Sequence, residues 1–113
     1  MNGNWNPWGQ KPRHYVAFWK SVYNAVQAVP GAAGKVSFVW APNISGGGYP
    51  WGGLGTAPFV NNGTDTPKTA ANALNADEFT ALDTNGDQIL DAADDPYLPY
   101  WPGPQYVHWI GAS

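Results

Sequence analysis

Residues 36–41, Val-Ser-Phe-Val-Trp-Ala, carry apolar side chains at nearly every position. Such a run predicts a β-strand that is covered on both faces, as in a parallel sheet. The preceding residues, 13–29, place apolar side chains three or four positions apart and stop at Pro30 and Gly31, which predicts a helix with one apolar face. Residues 105–110, Gln-Tyr-Val-His-Trp-Ile, predict a second strand. The apolar face of the predicted helix consists of Tyr15, Phe18 or Trp19, Val22, Val26 and Val29.

The order of helix, strand, long connection and strand is that of an α/β protein. Two covered strands predict a parallel sheet, which needs neighbouring strands and helices on both faces. Two strands and one well-patterned helix are too few for such a sheet, so we expect the chain to be part of a larger domain. A barrel of eight β/α units typically takes about 250 residues.

The connection between the two predicted strands, residues 43–104, is long and irregular. Glycine and proline residues between positions 46 and 53 oppose a helix there, and residues 77–82 predict only a short helical turn. Residues 1–12 are loop-like for the same reason. A connection of this length in a compact domain usually belongs to function or to an insertion.

The composition of the 113-residue chain limits its partners. Its length fits one domain. A net charge of −3 and five scattered basic side chains argue against nucleic acid, because phosphate binding needs a basic patch. The absence of cysteine excludes a disulfide framework and a thiolate metal site. No apolar stretch approaches the roughly 18 residues that span a bilayer, so no membrane partner is expected, and the first residues lack a signal-peptide pattern.

One acidic segment, residues 83–94, follows the order of an EF-hand calcium loop. Such a loop carries oxygen side chains at positions 1, 3, 5, 9 and 12 and contributes a backbone carbonyl at position 7. Leu90 holds the usual apolar position 8. The segment therefore predicts a structural calcium ion, with ligands from Asp83, Asn85, Asp87, Ile89 (through its carbonyl), Asp91 and Asp94.

Two residues depart from the usual loop. Gln88 stands at position 6, where glycine normally makes the turn because the residue there tends to need a positive φ. Asp94 at position 12 is shorter than the usual glutamate, as in dockerin-type loops. A loop that folds on hydrogen bonds alone is the alternative interpretation of the same residues. No second loop pairs with this one, which excludes a calcium sensor.

No catalytic constellation is recognisable in the chain itself. His14 and His108 have no cysteine or second histidine at metal-ligand spacing, and there is neither a nucleophile elbow nor a phosphate loop. Glycoside cleavage canonically needs two carboxylates flanking the scissile bond. The acidic side chains here are concentrated in one loop, so the chain by itself lacks the machinery of an enzyme.

Four segments resemble glycoside hydrolase family 26, a group of secreted endo-β-1,4-mannanases and relatives. The first, Met-Asn-Gly-Asn-Trp-Asn-Pro-Trp-Gly at residues 1–9, is similar to the segment that follows the family's acid/base glutamate at the end of the fourth barrel strand. The others are similar, in order, to the fifth strand, to a calcium-loop-like insertion and to the sixth strand. They are Phe38–Asn43, Leu82–Asp87 with Asp94–Tyr97, and Tyr100–Gly103 with Tyr106–Gly111.

The resemblance implies a partial (β/α)8 TIM barrel, from about the end of strand 4 through strand 6. Residues 1–113 would then be a fragment of a single glycoside hydrolase catalytic domain. The implied parts are a strand-4 loop (1–12), a helix (13–29), the fifth strand (36–41), a long loop (43–104) that carries the EF-hand-like segment 83–94, and the sixth strand (105–110).

The resemblance also implies a retaining mechanism. One glutamate protonates the leaving oxygen, and a second attacks the anomeric carbon. The first would precede Met1 and the second would follow Ser113, so no catalytic residue is expected in this chain, and the chain alone is expected to be inactive. The implied substrate is a β-1,4-mannan-type polysaccharide. The complete protein would be an extracellular monomer whose chemistry needs no cofactor.

Five residues are implied to bind or to surround the sugar. Trp5 would stack on a pyranose ring next to the cleaved bond, and Asn2 and Trp8 would shape the same loop. Trp40 and Asn43, at the end of the fifth strand, would face the cleft. Packing is the alternative for Trp5 and Trp40, and capping is the alternative for Asn43, which also begins a glycosylation sequon.

The chain departs from the family at the sixth strand, where Pro104 and His108 replace two aspartates. A second class of function also stays open: a small calcium-stabilised carbohydrate-binding module without catalysis. The acidic loop and the aromatic composition favour that module. The α/β pattern opposes it, because most such modules are antiparallel sandwiches.

Overall fold

The computed structural model describes residue 2 and residues 9–44, 59–60, 76–91 and 93–112, with the backbone alone at 59–60. Two short 3₁₀ turns, Leu98–Tyr100 and Pro104–Tyr106, lie in the last part of the chain. The described residues thus have mixed α and β structure, and the partial TIM barrel stays a prediction. In chain order the helices and strands are α1 (Pro12–Gln27), β1 (Val39–Trp40), β2 (Phe59–Val60), α2 (Ala76–Leu82), β3 (Ile89–Leu90) and β4 (Trp109–Ile110).

β1 and β4 form a parallel pair, in which Val39 is in register with Trp109 and Trp40 with Ile110. Both strands lie within the ranges expected from the sequence, but each has only two residues. The two strands are separated along the chain by the long connection. Parallel pairing across such a connection is what a β/α unit requires.

The hydrogen-bond ladder between β1 and β4 is short because a side chain and a shared carbonyl take the place of regular backbone pairs at its start. The amide of Phe38 donates to Nδ1 of His108 (2.9 Å), not to a backbone carbonyl. The amides of His108 and Trp109 both donate to the carbonyl of Phe38 (2.9 and 3.1 Å). Upstream, Pro104 begins a 3₁₀ turn. This turn takes up residues 105 and 106, which the sequence placed at the start of the strand.

β2 and β3 form a second, antiparallel pair, with Phe59 opposite Leu90 and Val60 opposite Ile89. This pairing was not expected from the sequence, which places residues 89–90 inside the acidic loop. The Leu90 side chain is fully buried. The acidic loop is therefore joined to the core through its apolar position.

α1 packs through a line of aromatic side chains at every fourth position, Tyr15, Trp19 and Tyr23. The rings of Trp19 and Tyr23 lie 5.9 and 5.0 Å from the ring of Phe38, and that of Tyr15 lies 6.1 Å from Tyr100. Aromatic pairs at these distances contribute about 0.5–1.5 kcal/mol beyond the burial of their surface. α1 is thus held against the residue that precedes β1 and against the turn at 98–100.

The rest of the expected apolar face of α1 is more open. Phe18, Val22 and Val29 are exposed. These residues lie on the side of the helix next to the aromatic line, because positions 18, 22 and 29 are rotated away from 15, 19 and 23 at 3.6 residues per turn. The sequence pattern thus predicted the helix, but only part of its buried face.

The core joins both helices to β1 and β3. Its buried side chains are in mutual contact, as in other close-packed protein interiors. Trp40 is 6% exposed, its indole N–H donates to the carbonyl of Tyr100 (3.1 Å), and its ring meets that of Trp101 edge-on at 5.1 Å. The buried apolar residues of the core are Trp40, Phe79, Leu82, Leu90 and Tyr100.

A buried carboxylate from α2 closes the N-terminus of α1. Glu78 Oε2 accepts the amide N–H of Arg13 (3.0 Å), and Oε1 accepts the amide of His14 (3.2 Å) and contacts its Nδ1. Lys11, the residue before α1, makes no capping hydrogen bond with its side chain. The first amides of a helix need partners, and a negative charge is favourable at this end. Glu78 therefore provides from a distance the cap that the local sequence lacks.

The β1–β4 pair is buried only at Trp40, which faces the core. Val39 and Trp109 are 51% and 66% exposed on the open face, and Ile110, on the side of Trp40, is itself 69% exposed. Side chains alternate across a strand, so Val39 and Trp109 share the face opposite α1. The cover on both faces that the sequence predicts for residues 36–41 is therefore absent over Val39.

Replacing Glu78 with alanine is expected to destabilise the fold by about 1–3 kcal/mol, because the α1 amides lose their acceptor. The measurement is urea unfolding followed by circular dichroism. Asp77→Asn is the matched control: Asp77 pairs with Arg13 at 3.5 Å, but both side chains are mostly exposed. Such pairs contribute about 0–1 kcal/mol. An equal effect of the two substitutions would contradict the role given to Glu78.

Burial raises the pKa of the Tyr15 hydroxyl from 10.0 to about 12. The folded chain therefore keeps this proton at pH values where the unfolded chain has lost it. The contribution to stability is complete below pH 10 and is lost as the pH rises through about 12. We expect unfolding midpoints to fall over this range and Tyr15→Phe to reduce that fall. A fall of the same size in the variant would contradict the assignment.

Candidate functional site

The carboxyl ends of β1 and β4 are the expected place for a ligand in an α/β protein. Asn2 is fully buried there and clamps the segment that follows β1. Its side-chain Nδ2 donates to the carbonyl of Asn43 (3.0 Å), and its Oδ1 accepts the amide of Asn43 (3.2 Å). Asn2 is thus fixed beside the end of β1.

The five residues expected at the sugar site have different placements. Asn2 and Asn43 come together as described, through the backbone of Asn43. Trp40 is in the core, which favours the packing alternative for this side chain. Trp5 and Trp8 lie outside the described residues, so the stacking expected of Trp5 and the loop-shaping role expected of Trp8 stay predictions.

An open hollow of about 280 Å³ lies at the carboxyl end of the β1–β4 pair. It is on the face of Trp40 and Ile110, which are in register at the ends of the two strands. Its lining is almost entirely apolar, with one carboxylate. The lining residues are Trp40, Asp95, Tyr97, Leu98, Trp101 and Ile110.

Asp95 organises one wall of this hollow. Its Oδ1 accepts the amides of Tyr97 (2.7 Å) and Leu98 (2.9 Å) and so fixes the turn that begins at Leu98. Its other oxygen, Oδ2, accepts no hydrogen bond from the described part of the chain. Asp95, Tyr97 and Trp101 were not among the expected site residues. The proline- and aromatic-rich run at 96–104 was the available signal, but it gave no indication of which side chains converge.

The acidic loop is held together by hydrogen bonds from its own backbone to its side chains. Asp83 accepts three amides: those of Gly86 and Asp87 at Oδ1 (2.8 and 3.1 Å) and that of Gln88 at Oδ2 (2.9 Å). Asn85 Oδ1 accepts the amide of Asp87 (2.9 Å). The side chains at the first and third positions of the loop thus hold the turn at residues 86–88.

Asp94 closes the loop from its other end and is 3% exposed. Its Oδ1 accepts the amide of Thr84 (2.7 Å), the Thr84 hydroxyl (3.2 Å) and the amide of Asn85 (3.4 Å). Its Oδ2 accepts the amide of Asp91 (3.1 Å). Both oxygens of this buried carboxylate therefore have hydrogen-bond partners within the loop itself.

The backbone at position 6 has the conformation that the loop pattern requires. Gln88 has φ +66°, in the region where glycine is normally preferred. Gly86, at position 4, also has a positive φ, of +78°. The chain therefore makes the expected turn at Gln88 although this residue has a side chain. The amides of residues 87–89 in this turn donate to carboxylate oxygens of Asp83 and Asp87.

The residues of the acidic loop have the donor types and the order that suit a calcium ion. Their oxygen atoms do not converge on one point. Among the described residues, no group of three or more histidine or acidic side chains is placed to hold a metal ion. Asp83 is directed to the amides of residues 86–88, and Asp94 to those of residues 84, 85 and 91. The six predicted ligands are all described, and the calcium ion itself stays a prediction.

The two histidines have structural contacts. His14 is bound to Glu78 at the start of α1, and His108 accepts the Phe38 amide and stacks on Tyr23 with ring centroids 6.0 Å apart. Glu78 is the one glutamate in the sequence. Because it is buried under the end of α1, it is not available to a substrate.

Comparison with protein-family models, with curated proteins and with solved structures finds no match to this chain. No helix within the described ranges is long and apolar enough to cross a membrane. The assignment of a function therefore depends on the residues and their geometry.

We expect calcium to bind at the acidic loop with one ion per chain, measured by isothermal titration calorimetry. Asp83→Asn and Asp87→Asn are expected to abolish the heat of binding, because each removes a charged oxygen ligand. Asp95→Asn, one residue past the loop, is the control and is expected to retain it. At a calcium concentration 100 times Kd, the folded state would gain about 2.7 kcal/mol. No heat from the unsubstituted chain would favour the loop that folds on hydrogen bonds alone.

Proposed function

We propose that the chain is part of a family-26-type glycoside hydrolase that acts on β-1,4-mannan-type polysaccharide, and that it contributes to the binding of that glycan. The observation that carries this proposal is the parallel pairing of β1 with β4, with Asn2 clamped to Asn43 at the carboxyl end of β1. In barrels of this kind, neighbouring strands are parallel and the loops at their carboxyl ends form the active site.

The placement of Asn2 supports the proposed order of strands. In the family resemblance, residues 1–12 follow the fourth strand and residue 43 follows the fifth. Two consecutive strands of a barrel deliver their following loops to the same end. The pair of hydrogen bonds between Asn2 and Asn43 joins one residue from each of these two positions in the resemblance, 41 positions apart in sequence.

The proposal assigns binding, and not bond cleavage, to this chain. Retaining cleavage needs an acid/base carboxyl group and a nucleophilic carboxylate about 5–5.5 Å apart. Glu78 is committed to the α1 cap, and the described aspartates of the acidic loop are occupied with its backbone. Both catalytic glutamates are therefore assigned to parts of the protein outside these 113 residues. Trp5 is proposed to stack on a sugar ring and Trp8 to shape the same loop, and the complete enzyme is proposed to be secreted and monomeric.

The second candidate function is a calcium-stabilised carbohydrate-binding module. One observation favours it: the acidic loop is anchored in the core by Leu90 and adjoins α2 through Leu82, which are both fully buried. An ion bound in the loop would therefore stabilise the core directly. The parallel β1–β4 pair is the reason to rank this candidate second.

The proposal is tested by sequencing the transcript on both sides of the reading frame. We expect in-frame codons for His-Glu before Met1 and a strand bearing a glutamate after Ser113. The longer protein should hydrolyse β-1,4-mannan, and replacing that first glutamate with glutamine should abolish hydrolysis. Within it, Trp5→Ala is expected to lower kcat/KM by about tenfold or more, through loss of stacking.

A stop codon or an unrelated sequence on either side would exclude hydrolysis. The second candidate is then tested with the 113-residue chain, which should bind soluble mannan and lose that binding when calcium is chelated. Mannan binding that is unaffected by chelation would contradict the calcium-stabilised module.

A further inference from the structure

We propose that the hollow between Trp101, Tyr97 and Asp95 binds one neutral hexopyranose unit of a glycan, at a site separate from the expected cleft. The inference takes the class of ligand, a neutral glycan, from the proposed function. The position of the site, its lining and its charge come from the described residues.

The hollow is on the opposite face of the β1–β4 pair from the open apolar face. Trp40 and Ile110 line it and share the face that is packed against α1 through Tyr100. Val39 and Trp109 lie on the other face, which in a barrel is the interior. A sugar in the hollow would therefore sit outside the barrel interior, next to the carboxyl ends of the strands.

The walls suit the apolar side of a sugar ring. Trp101 and Tyr97 are half-buried, so part of each ring forms the surface of the hollow. The edge-on contact with Trp40, at 5.1 Å and 78°, fixes the orientation of the Trp101 ring. Aromatic side chains that are held in one orientation lose little entropy on binding. A volume of about 280 Å³ is just below the usual range for ligand sites, which fits one ring better than an extended ligand.

The carboxylate of Asp95, at the rim of the hollow, can accept a hydrogen bond and disfavours a negatively charged ligand. Asp95 is exposed, and its Oδ1 is occupied by the amides of Tyr97 and Leu98. Oδ2 is directed to no donor among the described residues and can accept a sugar hydroxyl in a charge-assisted hydrogen bond. A uronate carboxylate at the same place would be repelled by Asp95 in an otherwise apolar hollow. The ligand is therefore a neutral sugar.

The test is a titration of the ¹⁵N-labelled chain with β-1,4-mannotetraose, followed by the indole and amide signals. At about 10 mM ligand, ten times a millimolar Kd, we expect shifts of the Trp101 indole and of the Tyr97 and Leu98 amides. Trp101→Leu is expected to weaken binding by about tenfold or more through loss of stacking. Asp95→Asn keeps an oxygen for the Leu98 turn and is expected to weaken it by about threefold.

Trp109→Leu is the matched control, because Trp109 is an exposed tryptophan on the other face of the same strand pair. It is expected to leave the affinity unchanged, and tetragalacturonate is expected to cause no shifts at the hollow. Circular dichroism melts establish that each variant is folded. Asp95→Asn, whose side chain is exposed, provides the answer if Trp101→Leu does not fold.

Three results would overturn the inference: no shifts around Trp101 with mannotetraose, equal losses from the substitutions at 101 and 109, or equal binding of the uronate. Shifts confined to Trp109 and to residues 2–8 would place the glycan at the open face, which overturns the hollow but keeps the proposed function. Failure of the transcript test with retained binding at Trp101 would overturn the proposed hydrolase but leave the hollow in place.

Discussion

The arrangement of the described residues depends on one buried carboxylate. Glu78 ends on the first amides of α1, and α1 lacks a capping side chain from its own preceding residue. Through this contact α2 is fixed against α1, and α2 in turn leads directly into the acidic loop at Asp83. The aromatic line of α1 then meets Phe38 and Tyr100, which hold β1 in place. The carboxylate of Glu78 is bonded to Arg13 and His14, which precede it by 65 and 64 positions. This contact thus joins α1 to the acidic loop and, through α1, to the strand pair.

Local features of this fold were predictable from sequence patterns, whereas contacts between distant residues were not. Helix α1 and the regions of β1 and β4 were predictable, because periodic or continuous apolar residues and the break at Pro30 and Gly31 are local signals. The cap by Glu78 was not predictable, since the local sequence around Lys11 contains no capping residue and the acceptor comes from another helix. The β2–β3 pair was missed for a related reason. Ile89 and Leu90 belong to a pattern of alternating oxygen ligands, which conceals two residues with strand geometry.

The candidate site shows the same division. The alignment of oxygen side chains in the acidic loop was predictable, and so was the need for a positive φ at Gln88, which has +66°. The use of Asp83 and Asp94 as acceptors for backbone amides follows from side-chain rotamers, which spacing does not determine. Trp40 was expected at a cleft because it ends a strand, but whether a residue at that position faces a ligand or the core depends on Tyr100 and Trp101, sixty positions further on. Asp95, Tyr97 and Trp101 converge through the turn at Leu98, which Asp95 holds by two hydrogen bonds, and through the contact of Trp101 with Trp40.

The contacts that hold the molecule together also have a kinetic consequence. Asn2 is joined to Asn43, Phe38 to His108, and Trp19 to Tyr106, over 41, 70 and 87 positions of the chain. Closing such loops costs chain entropy before any of the contacts contributes energy. Chains dominated by distant contacts fold slowly and expose apolar surface for longer while they do so. During synthesis, α1 emerges well before Glu78, Tyr100 and Tyr106, so for that interval the helix lacks its cap and can pack only against Phe38.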